Sequence, residues 1–151
     1  MYPIRLITVG RSKLEGCEAL AGHYRNLLRS YARLDVIEIA EGKGEGARQL
    51  KDEADRLRPL LAVARPVLLD ADGPPRSSEA FAKWLGQCMD RGEGIAFAIG
   101  SSHGFDPALK TAIPDKLSLS PMTFPHDLSR VMFLEQLYRA FAILRGKTYH
   151  K

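Results

Sequence analysis

Short runs rich in leucine and β-branched residues alternate along the chain with longer stretches in which apolar positions recur every three or four residues. This is the pattern of a mostly parallel sheet whose strands are joined by crossover helices packed on both faces, an α/β fold. It predicts five strands: Ile4 to Val9, Leu34 to Ala40, Pro66 to Asp70, Ile95 to Ile99 and Lys116 to Leu119. Helices fill the intervals. Asp106 followed by Pro107 pairs an N-cap residue with a proline at the first helical position, so a short helix is expected directly after the loop that leaves the fourth strand. The last helix, roughly Asp127 to Leu144, carries one apolar stripe through Val131, Leu134, Tyr138 and Phe141 and a second through Phe133, Leu137, Ala140 and Leu144. A helix that covers a sheet needs one apolar face. The second stripe therefore predicts packing against another subunit, a homodimer, unless the same chain covers it.

No repeat or low-complexity linker divides the chain, and the segment Glu41 to Gly46 is short enough to be a loop, so residues 1–151 read as a single domain. A chain of 151 residues can bury about two thirds of its unfolded surface without help from metals or disulfides. The 45% hydrophobic and 26% charged shares exclude disordered and fibrous classes and leave function open. No apolar run approaches the ~18 residues of a membrane span, and no signal peptide is legible, so a cytoplasmic location with no membrane partner is expected. Cys17 and Cys88 belong to no Cys-x-x-Cys pair; they read as free thiols, and no metal site is expected. The net charge is +4. Between Pro125 and Lys151, Arg130, Arg139, Arg145, Lys147 and Lys151 outnumber Asp127 and Glu135, with His126 and His150 besides. Such a tract suits either a solvated helix with a basic end or contact with a nucleic acid.

Three glycine-bearing stretches invite a nucleotide or catalytic reading. Gly146-Lys147-Thr148 resembles the end of a phosphate-binding loop, but the earlier glycine falls on Phe141 and the segment follows a helix instead of preceding one. Gly42 to Gly46 follows a strand but lacks the dinucleotide spacing, and reads as a mobile charged loop that could touch a partner. Gly100-Ser101-Ser102-His103-Gly104 matches the G-x-S-x-G nucleophile elbow between a strand and a helix. A serine hydrolase built on Ser102 would need an acid and then a histidine downstream, which only Asp106, Asp115 or Asp127 followed by His150 supplies.

A longer set of segments points elsewhere: Val67-Leu68-Leu69-Asp70-Ala71-Asp72-Gly73, Phe97-Ala98-Ile99-Gly100, Leu117-Ser118-Leu119-Ser120-Pro121-Met122-Thr123-Phe124-Pro125-His126, and Leu134-Glu135-Gln136-Leu137-Tyr138-Arg139-Ala140. Together they resemble the RlmH family, ribosomal large-subunit pseudouridine N3-methyltransferases of the SPOUT superfamily. The likeness runs from the opening Ile-Thr-Val-Gly strand to Tyr149-His150-Lys151. It implies a C-terminal trefoil knot and a homodimer with one S-adenosyl-L-methionine (SAM) site per subunit. It also implies a substrate in 23S rRNA, a pseudouridine of the helix 69 stem-loop within the assembled ribosome. Carried over by motif, Leu69, Gly100, Leu119, Ser120, Pro121, Met122, Thr123 and Phe124 would surround SAM; read singly, each is a core or turn residue. The family usually shows a second glycine and then a proline after the first glycine, where this chain has Ser101, Ser102 and His103, which alters the substrate side of the site.

Methyl transfer requires positioning and loss of the N3 proton. Arg139 could stabilise the resulting anion, and His126 or His150 could accept the proton. The plainer roles are a helix-surface ion pair for Arg139, a capping or buried place for His126 and a frayed end for His150. Beyond Gly146, a natural helix stop, the tail is expected to be free of the core, with Arg139, Tyr149 and His150 available to the substrate. A noncatalytic ribosome- or RNA-binding protein of the same fold is the alternative.

Overall fold

Apolar residues occupy both pleats of the inner strands because the sheet is covered on both faces. In the computed structural model, which describes residues 1–149, the strands are β1 (Tyr2–Val9), β2 (Ala32–Ile39), β3 (Arg65–Leu69), β4 (Ile95–Ile99) and β5 (Lys116–Leu117). All are parallel, in the order β2-β1-β4-β3-β5. Ile4 and Leu6 of β1, with Ile95, Phe97 and Ile99 of β4, enter one core, closed by α1 (Glu15–Leu28), α3 (Ser78–Asp90) and α5 (His126–Leu144). Ile7 and Val9, with Ala96 and Ala98, enter the other, closed by α2 (Ala47–Leu61) and α4 (Pro107–Ala112). The alternation of two is the strand's own geometry.

The expected strands all form, with shifted ends. β1 and β2 each begin two residues before their predicted starts, pairing Tyr2 with Ala32 and Pro3 with Arg33. β5 stops at Leu117 and does not run to Leu119, because Ser118 turns its hydroxyl to the Ala71 carbonyl (3.2 Å) and its N–H to that of Pro74 (3.4 Å). The Asp106 carboxylate accepts from Ala108 N (3.1 Å) and Leu109 N (3.3 Å), the N-cap read from the sequence.

Two expectations are revised. Most of both stripes of α5 is buried within the one chain: Val131, Leu134 and Phe141 on the first and Phe133, Leu137 and Ala140 on the second lie in the core between α1 and α3, while Tyr138 is half-buried and Leu144 exposed. As far as Ala140, the second stripe therefore needs no second subunit to cover it. Nor is the tail free as far as Tyr149. Gly146, at φ +63°, closes α5 with a Schellman motif in which Gly146 N donates to Ile143 O (3.0 Å) and Lys147 N to Ala142 O (2.9 Å). Tyr149 then returns onto α5, its hydroxyl on Glu135 (3.1 Å) and its ring edge-on to Tyr138 at 4.8 Å. No helix among the described residues is long and apolar enough to cross a membrane.

At the amino ends of the strands, Arg65 binds Asp115 through Nε (2.7 Å) and Glu93 through Nη1 (2.8 Å), while Arg91 donates to the other Glu93 oxygen (2.8 Å). The hydrogen bonds from Arg91 and then Arg65 hold the Glu93 carboxyl down to about 2 from its ordinary 4.5. A depressed carboxyl stabilises the fold above its unfolded pKa, and that contribution disappears as pH falls toward the folded value. The urea midpoints of wild type and Glu93→Gln are therefore expected to differ near neutral pH and to converge between about pH 4.5 and about pH 2. A gap that stays constant through that window would contradict this account.

Candidate functional site

The carboxyl ends of β3, β4 and β5 open into a cleft of ≈ 350 Å³, within the roughly 300–1,000 Å³ of small-ligand sites and at the strand ends where open α/β sheets bind ligands. Leu69 and Asp70 wall it from β3, residues 99–105 from the end of β4 and its loop, and Leu119, Ser120, Met122, Thr123 and Phe124 from the segment between β5 and α5. Seven of the eight residues expected around a cofactor thus meet at one cavity: Leu69, Gly100, Leu119, Ser120, Met122, Thr123 and Phe124. Pro121, the eighth, is exposed in the same loop and off the wall.

Gly100 is required by the protein's own turn. A Cβ there would lie 2.7 Å from the carbonyl oxygen of Gly104, because the chain folds straight back, with Gly104 N donating to Ser101 O (2.9 Å). Gly104 holds φ +81°, a left-handed value that suits glycine. Ser101 is buried, and its hydroxyl donates to Glu53 Oε1 (2.8 Å), whereas Ser102 and His103 are exposed at the rim. The hydrolase constellation is not assembled among the described residues. Asp106 caps α4, Asp115 is held by Arg65, and Asp127 accepts from Lys13 N (2.9 Å) and Leu14 N (3.1 Å), fixing the start of α1. His150 lies outside the described residues.

The loop entering α5 has polar backbone to spare. Met122 N is bound to Ser120 Oγ (3.0 Å), but the backbone groups of Leu119, Thr123 and Phe124 find no partner among the described residues. Such groups seek a partner from water or a ligand. On the facing wall, Asp70 Oδ1 accepts from Asp72 N (3.1 Å), and Oδ2 lies 2.9 Å from Lys110 Nζ; that hydrogen bond raises the Lys110 ammonium above its ordinary pKa.

His126 lines the cleft from the first turn of α5. Its Nε2 lies 3.2 Å from the Arg11 carbonyl and 3.2 Å from Asp127 Oδ1. Both neighbours only accept, so a hydrogen on Nε2 suits them, and in that tautomer Nδ1 is an acceptor. Arg139 is not on the cleft. Its guanidinium binds Glu135 through Nε (3.0 Å) and lies 5.1 Å from the centre of the Tyr149 ring. That hydrogen bond raises the Arg139 pKa, and burial, with Tyr24 and Glu135 beside it, raises that of the Tyr149 phenol. The basic tract is partly spent in the same way: Arg130 is buried on Glu38 (3.0 Å), and Arg145 and Lys147 stand over the Tyr31 ring. Among the described residues no group of three His, Cys, Asp or Glu side chains is placed to hold a metal. Sequence reading missed Glu53, although Gln49, Glu53, Leu57 and Leu61 recur every four residues and put it on the buried stripe of α2.

An all-parallel sheet with a ligand-sized cleft at its carboxyl edge, walled by a glycine turn and by the loop into the last helix, is the arrangement in which α/β proteins bind small ligands. The family described as Predicted SPOUT methyltransferase matches residues 2–150. Proteins named ribosomal RNA large subunit methyltransferase H match nearly end to end. The one from Gemmatimonas aurantiaca is 38% identical over 152 residues, 98% of this chain and 99% of the relative. That from Malacoplasma penetrans is 37% identical over 155 residues, with 98% and 99% covered, and that from Bacillus pumilus 36% over 157 residues, again 98% and 99%. The chain belongs to the SPOUT methyltransferases and, within them, to the ribosomal RNA large subunit methyltransferase H family that its motifs resemble; it is a methyltransferase.

Proposed function

We propose that this protein methylates large-subunit ribosomal RNA from SAM, at N3 of a pseudouridine in the helix 69 stem-loop of 23S rRNA in the assembled ribosome, and that it works in the cytoplasm as a homodimer whose C-terminal segment forms a trefoil knot. The observation that carries the reading is the meeting of Leu69, Gly100 and the loop from Leu119 to Phe124 around one cleft, next to His126.

The lining fits SAM. Leu69, Ile99, Leu119 and Phe124 offer apolar surface to an adenine, the unpartnered backbone of Leu119, Thr123 and Phe124 offers donors and acceptors to its edge, and Asp70 offers an acceptor to hydroxyl or ammonium groups. When bound, SAM supplies an electrophilic methyl group on a sulfonium. The chain's own part is to hold the base in line and to relieve N3 of its proton. His126 stands at the cleft itself and is one candidate acceptor; His150 is the other. Arg139 and Tyr149, committed to Glu135 on the outer side of α5, would serve a substrate in the cleft of the second subunit, where a guanidinium stabilises an imide anion and a ring stacks on a base.

Calorimetric titration with SAM is expected to show one site per chain, and incubation of undermethylated ribosomes with methyl-labelled SAM is expected to label 23S rRNA. A chain that takes up no SAM would remove the reading. Label appearing in small-subunit RNA would move the target while keeping the cleft.

A further inference from the structure

Glu53 is 2% exposed, and both of its carboxyl oxygens are engaged: Oε1 accepts from Ser101 Oγ (2.8 Å), and Oε2 from Gly42 N (2.8 Å) and Gln49 Nε2 (3.2 Å). A stripe that only had to seal α2 against the core would be as well served by an apolar residue, since burying a polar group is costly unless it is hydrogen-bonded. Two of these donors come from separate loops, the third from α2 itself. Ser101 follows β4 and walls the cleft; Gly42 follows β2 and is packed so hard on α2 that a Cβ would lie 2.2 Å from Gln49 O. β1 stands between β2 and β4, so no backbone ladder joins those loops. The side chain of Glu53 does.

We propose that Glu53 is a positioning residue of the methyl-transfer cleft: through Ser101 it fixes the turn from Gly100 to Gly104 and through Gly42 it locks that turn to the exposed loop carrying Lys43, so that the cofactor wall and the neighbouring rim are held as one body. The proposal rests on reading the cleft as the SAM site. Glu53 does not line the cavity and acts only through Ser101. Positioning is the larger part of catalysis here, and displacements of about 1 Å at a site cost on the order of 10²-fold in rate.

The test compares wild type, Ser101→Ala and Glu53→Gln by SAM calorimetry, by kcat and KM on ribosomes, and by thermal melting, with assays run well below each melting midpoint. Ser101→Ala is expected to stay folded, to bind SAM about tenfold more weakly and to lose kcat. Glu53→Gln, which keeps the length and one acceptor, is expected to shift the same two quantities in the same direction. A staple that is merely structural would lower the melting midpoint and leave SAM affinity and kcat of the folded variants at wild-type values, and that result overturns the proposal. A wild type that does not bind SAM overturns the cofactor reading itself, which distinguishes the two failures.

Discussion

Leu137→Glu is expected to leave no folded protein at room temperature. Leu137 is fully buried beside Phe133 and Leu134, with α1 and α3 packed along the helix that carries it. Removing a leucine side chain from such a place costs about 2–5 kcal/mol, and an unpaired buried carboxylate adds several more. The total stability of a domain this size is roughly 5–15 kcal/mol. The two losses together consume most or all of it. Near-ultraviolet circular dichroism should lose its tertiary signal, and the chain should elute as expanded or aggregated species. A compact, folded monomer would instead mean that Leu137 faces a second subunit and that the second stripe of α5 is an interface.

That contrast marks what the sequence alone discloses. The hydrophobic pattern locates every strand to within two residues and the last helix to within one at its start, because those signals are local: short runs rich in leucine and β-branched residues, an Asp-Pro start at Asp106, a glycine stop at Gly146. It does not disclose that β4 inserts between β1 and β3, so it cannot say which helices flank α5 or that they cover most of both its stripes. The cleft residues were found through a family resemblance, since Leu69 or Phe124 seen singly is an ordinary apolar position. Glu53 was hidden for the opposite reason. In the run Lys51-Asp52-Glu53 it looks solvated, and only the four-residue spacing to Gln49, Leu57 and Leu61 marks it as inward. The docking of Tyr149 on Glu135 and Tyr138 likewise joins residues whose affinity for one another is no local pattern.

Gly100→Val is expected to reduce SAM affinity by about a hundredfold or more while the domain stays folded. A side chain at this position collides within the protein itself. A Cβ at Gly100 meets Gly104 O at 2.7 Å, Gly104 C at 3.1 Å and Phe105 Cε1 at 3.3 Å, and valine adds two methyl groups beyond it. The turn cannot absorb this locally. Gly104 already sits at φ +81°, Ser101 is tied to Glu53, and Phe105 is buried in the core under α2 and α4. Relief comes only if the whole turn from Ser101 to Gly104 swings away from β4, and that turn is a wall of the cleft. Overpacking of this kind costs about 1–3 kcal/mol, which a domain can survive, whereas a wall displaced by an ångström or more spoils the fit of a ligand. Gly100→Ala separates the two effects, since its single carbon makes the 2.7 Å contact without the valine methyls and should give a smaller loss of affinity in the same direction. Calorimetry with SAM on both variants, with melting curves alongside, decides the matter: a folded Gly100→Val protein that binds SAM as tightly as wild type would show that the turn after β4 is no part of the site.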